Sequence, residues 1–331
     1  MVRLISRHSM ILGLDIGGAN TKAASSDGSL AESVYLPLWR DAPLGEVLQR
    51  LAETDPESAG VVITGELADC YRSKAEGITS IKAAVEKAFR CPIYFWGLNG
   101  FGWRDPIELA AANWSASSAL VAKDNCCCLF VDMGSTTTDI IPIRNNALAS
   151  ATDYLRLVNG ELVYTGMLRT SIGSLLRAAR LDEHIVRLSP EFFAITADAY
   201  LVTGQISPEQ YSCGTPDGFG KDRASALSRL ARTVCSDVDE IGESRTVSIA
   251  QQTVDLQLEV ITQAMEKQSA KHHLDNVVAT GIGEKIIARA SKSLGMDCVC
   301  LSEKYGKHIS DIFPAYAVAR LLEGRLQMGS P

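Results

Sequence analysis

Two stretches of this chain repeat one grammar, and that repetition limits the fold more than any other feature. Residues 11–24, ILGLDIGGANTKAA, read as a buried strand carrying Asp15, a glycine reversal at Gly17 and Gly18, and a second strand opening at Thr21. Residues 129–143, LFVDMGSTTTDIIPI, read the same way with Asp132 in the place of Asp15. The offset, 132 − 15 = 117 residues, also places Gly134 on Gly17, Ser135 on Gly18 and Thr138 on Thr21, the mark of an internal duplication. Such a chain is expected to form two half-domains, each opening with a hairpin.

Glycines at a hairpin mouth let backbone N–H groups approach an anion, and a carboxylate beside them suits a hydrated Mg²⁺. Phosphate plus metal is one reading of each loop; an aspartate bonding only its own turn is the other. A third glycine turn, VVATGIGEKII (277–287), ends a β-branched run at Gly281 and Gly283 and opens a helix at Glu284, where a helix start favours anions or ribose edges.

Between these loops the first half alternates strand and helix: strands at 60–65 and 92–97, helices at 73–90 and 106–122. Further helices are expected near 190–203, at 223–237, 246–270 and 311–324. The 331 residues, 46% hydrophobic and 21% charged, suffice for two domains with proper cores. The domains are expected at 1–125 and 126–331, with an inserted region at about 155–250 and the final helix returning to the first domain. The basic residues 1–9 read as a disordered extension.

A net charge of −7 without a Lys/Arg cluster argues against nucleic acid and against anionic membranes, so small-molecule substrates are expected. No apolar run approaches a membrane span. Nine cysteines without CxxC spacing point to a reducing cytoplasm. Cys126, Cys127 and Cys128 alternate across a strand and read as packing residues, not as a metal site. A homo-oligomer is left open.

The order of parts resembles the actin, heat-shock 70 and sugar kinase superfamily, which implies an α/β fold: a duplicated actin-like (ribonuclease H-like), two-domain ATPase/sugar-kinase architecture. In that comparison 15–21 matches the first phosphate loop, 132–138 the second and 280–283 the adenosine loop. DIGGANTKAASSDG, VITGELADCYRSKAEGI, VDMGSTTTDIIPI and GELVYTGMLRT further resemble the hydantoinase/oxoprolinase-like branch and, within it, the methanofuran-biosynthesis synthase family. That resemblance implies a transferase joining 5-(aminomethyl)-3-furanmethanol diphosphate to γ-glutamyltyramine with release of pyrophosphate. ATP is then not expected to be consumed. An ATP-dependent hydantoinase/oxoprolinase-like hydrolase and a small-molecule kinase are the alternatives.

A diphosphate leaving group needs the clamp that ATP phosphates need. Asp15 and Asp132 are the expected Mg²⁺ and catalytic acids, with Glu66 as a third catalytic candidate. Gly17, Gly18, Thr21, Lys22, Gly134, Ser135, Thr136, Thr137, Thr138, Gly281 and Gly283 are expected at the diphosphate. For the remaining substrate groups the candidates are Glu161, Tyr164, Arg169, Asp217, Lys221 and Arg223, and each has a plain structural reading as a cap or salt-bridge partner.

Overall fold

The computed structural model describes residues 10–40 and 42–329, and the disorder expected for residues 1–9 lies outside them. The chain forms two compact units. One takes in the chain up to Cys127, Ile143–Asp153 and everything from Leu301 on; the other is Cys128–Pro142 with Tyr154–Cys300. Residues 143–153 and the segment from Leu301 on thus fold with the first unit.

The first unit is built on β1 (Ile11–Gly17), β2 (Asn20–Ser25), β3 (Ala31–Tyr35), β4 (Ser58–Thr64), β5 (Ile93–Gly97) and β6 (Gly100–Phe101). They form one sheet in the order β3-β2-β1-β4-β5-β6. β1 to β3 pair antiparallel, whereas β4 pairs parallel with both β1 and β5. Parallel strands need crossovers, and the helices Leu44–Ala52 and Lys74–Ala88 belong to two of these connections. Ser73 starts the second of these by accepting from the Glu76 N–H at 3.2 Å.

The C-terminal helix, Phe313–Gln327, lies directly on β1 and β4. Gly13 and Gly60 are register partners on these strands, and a Cβ at Gly13 would stand 1.9 Å from the Ala315 carbonyl oxygen. Only glycine allows so close an approach there.

The second unit repeats the order. β7 (Cys127–Met133), β8 (Thr138–Arg144), β10 (Leu162–Val163), β13 (Asn276–Thr280) and β14 (Asp297–Cys300) form the path β10-β8-β7-β13-β14, and β9 (Asn146–Ala147), within the 143–153 segment of the first unit, pairs with Ile143 and Arg144 at the end of β8. β7, β13 and β14 are parallel. A separate hairpin, β11 (Ala178–Leu181) with β12 (His184–Arg187), falls in the region expected as an insert. Because both main sheets share the order 3-2-1-4-5, each unit is a ribonuclease H-like half, and the chain is a duplicated actin-like fold.

A 30-residue helix, Glu243–His272, turns the stripe Ile249, Thr253, Val254, Gln257, Ile261, Met265 and Gln268 inward. The helix expected at 106–122 is broken: Pro106–Leu109 is a 3₁₀ turn, and the α-helix runs only over Asn113–Asp124. Between them Ala111 has φ of +48°, left-handed for an L-residue, and Ala110 bridges to Ile63. Among the described residues no helix is long and apolar enough to cross a membrane.

Candidate active site

In the first unit Asp15 is 3% exposed near the end of β1. Thr64, at the end of β4, donates its hydroxyl to Asp15 Oδ1 at 2.9 Å. Lys22 is the register partner of Asp15 across the hairpin, and its ammonium stands 3.7 Å from Oδ2. The charge expected for a diphosphate is therefore shared with this acid. Thr21 is buried and its hydroxyl has no hydrogen-bond partner among the described residues. The backbone of Gly17 runs against Gly65, where a Cβ would meet the Gly17 carbonyl carbon at 2.9 Å. Gly18 is different: a Cβ there would meet only Gly65 Cα, at 4.0 Å.

Beyond Gly65 lies Glu66, 2% exposed, with Oε2 unpartnered among the described residues. Burial pushes its carboxyl above the usual range, opposed by its own backbone N–H and the Lys74 charge and reinforced by Asp153.

In the second unit Asp132 is 8% exposed and sits opposite Thr280 of β13. A Cβ at Gly281, whose φ is +90°, would lie 2.5 Å from Asp132 Oδ1 and from the Met133 carbonyl oxygen. Gly283 donates its N–H to that carbonyl at 3.0 Å, and a Cβ on it would strike the Met133 side chain. Gly281 and Gly283 thus pack closely against the end of β7, and the Gly283 N–H is already used.

The hydroxyl loop is held from one side. Gly134 N–H closes the turn onto the Thr137 carbonyl at 2.9 Å, so that donor is also spent. Thr138 is fully buried and donates its hydroxyl to the Thr165 carbonyl at 2.8 Å. Ser135, Thr136 and Thr137 remain partly exposed. Met167 donates to the Gly134 carbonyl at 2.9 Å, while Leu168 and Arg169 both donate to that of Ser135. A Cβ on Gly166 would lie 2.5 Å from the Thr136 nitrogen. The segment expected to hold the acceptor thus supports the second loop, and Arg169 reaches Thr136 Oγ1 at 2.9 Å.

Arg169 and Lys221 both lie close enough to Cys213 for their charges to act on its thiol, which burial nevertheless raises to about 11. Lys221 also stands over the Tyr211 ring at 5.6 Å. Two expected substrate residues are committed elsewhere. Asp217 accepts from Arg229 at 3.1 Å and Arg232 at 2.8 Å, and exposed Arg223 pairs with Glu243 at 2.5 Å. Glu161 is buried, whereas Tyr164 is 69% exposed. Asp139 is paired with Arg156.

Residues 57–325 match the hydantoinase/oxoprolinase family. Over 329 residues, 96% of this chain and 98% of the relative, the sequence is 40% identical to the (4-{4-[2-(gamma-L-glutamylamino)ethyl]phenoxymethyl}furan-2-yl)methanamine synthase of Methanocaldococcus jannaschii. The chain belongs to this synthase family, within the hydantoinase/oxoprolinases. A protein of the same name from Methanococcus vannielii is 40% identical over 204 residues, 60% of this chain and 92% of its own. Among solved structures, a ROK family glucokinase from Streptomyces griseus in complex with glucose and AMPPNP aligns over 94% of this chain and 98% of its own, at 12% identity and a TM-score of 0.49.

In this member of the synthase family the supports of the second loop escaped the sequence reading. Gln257, fully buried on the long helix, donates to Thr165 Oγ1 at 2.6 Å and to the Gly166 carbonyl at 2.8 Å, and accepts from Tyr200 at 2.5 Å. Thr196 donates to the same carbonyl at 3.0 Å, and Thr170 accepts the Gly166 N–H at 3.0 Å. The available signal was a glutamine on the apolar stripe of an amphipathic helix, since a buried amide must find partners.

Proposed function

We propose that this member of the synthase family joins 5-(aminomethyl)-3-furanmethanol diphosphate to γ-glutamyltyramine through an aryl ether and releases pyrophosphate, in methanofuran-type cofactor assembly. The observation that carries this reading is the 40% identity over 98% of a relative whose name describes a phenoxymethyl–furan linkage. Making that linkage breaks a furanylmethyl C–O bond and forms a phenol C–O bond. Negative charge then develops on the departing diphosphate, while the electron-rich furan stabilises the carbon.

Each loop has groups for such an anion. In the first, the roomy Gly18 and the unpartnered Thr21 hydroxyl remain available; in the second, Ser135, Thr136 and Thr137 are partly exposed and Arg169 reaches Thr136. Among the described residues no three acidic, His or Cys side chains cluster as a metal site. Isolated carboxylates suit Mg²⁺, which keeps its waters and uses one or two acids plus substrate phosphates. Asp15 in the first loop and Asp132 in the second are each a residue that would hold such an ion or its waters, and the ion would supply positive charge to a diphosphate. ATP is not consumed in this reading, and a cytoplasmic location with small-molecule partners accompanies it.

The test measures pyrophosphate and ADP separately with both substrates present. One pyrophosphate per ether and no ADP above background is expected. Substrate-stimulated ADP formation would transfer the chain to an ATP-dependent hydrolase or kinase reading.

A further inference from the structure

We propose that Glu66 accepts the phenolic proton of the acceptor, an inference that rests on the coupling reaction above and names the base for it. The carboxylate follows directly on the Gly17–Gly65 backbone contact and lies two residues beyond Thr64, the residue that orients Asp15. It is 2% exposed, and Oε2 has no hydrogen-bond partner among the described residues. A buried carboxylate oxygen without a donor is costly, and such groups persist where function retains them.

The surroundings hold both the backbone and the carboxyl of this residue. A Cβ at Gly77 would come within 2.2 Å of the Glu66 carbonyl oxygen, so the helix Lys74–Ala88 crosses directly over its backbone. On the other side Ala111 directs its N–H to Glu66 from a left-handed φ of +48°. That conformation costs alanine strain, and strained residues of this kind cluster at functional sites. The break in the helix expected at 106–122 thus has a product: an amide aimed at Glu66. Lys74 and Asp153 are the charged groups acting on the carboxylate, with opposite signs. Burial dominates and raises its proton affinity toward what a base for a phenol requires.

The step balances within the two substrates and this residue. The phenol O–H proton passes to Glu66 Oε2, and an oxygen electron pair forms the new bond to the furanylmethyl carbon. The C–O bond to diphosphate breaks with its pair on the leaving oxygen. Pyrophosphate departs, and Glu66 returns the proton to water.

The experiment compares wild type, Glu66→Gln and Glu66→Asp with γ-glutamyltyramine and with a ring-fluorinated analogue whose phenol is more acidic. Melting of each variant reports folding. Glu66→Gln is expected to fold and to lose about a hundredfold or more in kcat, the range of a general base. Its rate should no longer fall on the acid side of the pH profile, and the fluorinated phenol should recover part of the loss. Glu66→Asp should retain more activity. A folded Glu66→Gln with near-normal rates, or one that keeps the acid limb and loses equally with both phenols, would overturn the base assignment alone. Wild type releasing no pyrophosphate from the two substrates would overturn the coupling reaction and this role together.

Discussion

The Thr64 hydroxyl donates to Asp15 Oδ1 at 2.9 Å, so the acid at the mouth of the first hairpin is oriented by the neighbouring parallel strand. A hydrogen bond to a buried carboxylate contributes about 1.5–3 kcal/mol. Thr64→Val keeps the shape and removes the donor. It is expected to lower kcat by roughly tenfold to a hundredfold on that scale, with a modest loss of melting temperature. Steady-state pyrophosphate release checks this; an unchanged kcat would mean that Asp15 needs no orientation.

The glycines separate packing from ligand contact. A Cβ would be tolerated at Gly18 and Gly134, where the nearest atoms stand at 4.0 and 3.7 Å, but would collide with the Thr136 backbone from Gly166. Gly18→Ala and Gly134→Ala are therefore expected to melt like wild type while binding pyrophosphate more weakly by calorimetry. Gly166→Ala should lower both stability and binding. Unaltered pyrophosphate affinity in the first two would remove the loops from the diphosphate site.

Much of this was legible because hairpin chemistry is local: an acid, glycines and hydroxyls within a few residues define both loops. The side chains that commit candidate residues elsewhere are not local. Arg223 finds Glu243 across 20 residues, and Gln257 reaches Thr165 across 92. No nearby pattern announces such partners. The interrupted helix was hidden for a different reason. Ala110, Ala111 and Ala112 favour helix by propensity, and the tertiary bridge from Ala110 to Ile63 overrides it.

Buried Asp198 and Arg229 are joined at 2.7 Å, and Asp198 also accepts from Tyr211 at 3.0 Å. Asp198→Asn removes the fully buried countercharge of the guanidinium, leaving it only Asp217 at 3.1 Å, and is expected to cost about 3 kcal/mol. Urea denaturation measures this. A loss below 1 kcal/mol, on the scale of about 0–1 kcal/mol for exposed pairs, would contradict the buried-pair assignment.

The raised carboxyl of Glu66 has a consequence for stability. Folding favours its protonated form, so that stabilisation is complete at acidic pH and is lost as pH rises through the raised value. Glu66→Gln lacks this loss. Its melting temperature is expected to exceed that of wild type by a few degrees at mildly alkaline pH, with the gain fading under acidic conditions. A pH-independent difference would show that burial does not perturb this carboxyl.

Removing the charge of either strand-end acid tests the loops themselves. Asp15→Asn and Asp132→Asn should each cut turnover about a hundredfold or more with the fold intact, as expected for groups that stabilise developing charge. Near-normal turnover in either variant at limiting Mg²⁺ would reduce that acid to a turn former.

The bond that breaks distinguishes alkyl transfer from every phosphoryl-transfer use of these loops. The measurement is the fate of ¹⁸O placed in the C–O–P bridge of the furanylmethyl diphosphate and, separately, in the phenol of γ-glutamyltyramine. Alkyl transfer sends the bridge label wholly into pyrophosphate and retains the phenol label wholly in the ether. Bridge label remaining on the furan carbon, or a product phosphorylated on the phenol, would contradict the reaction assigned to this chain.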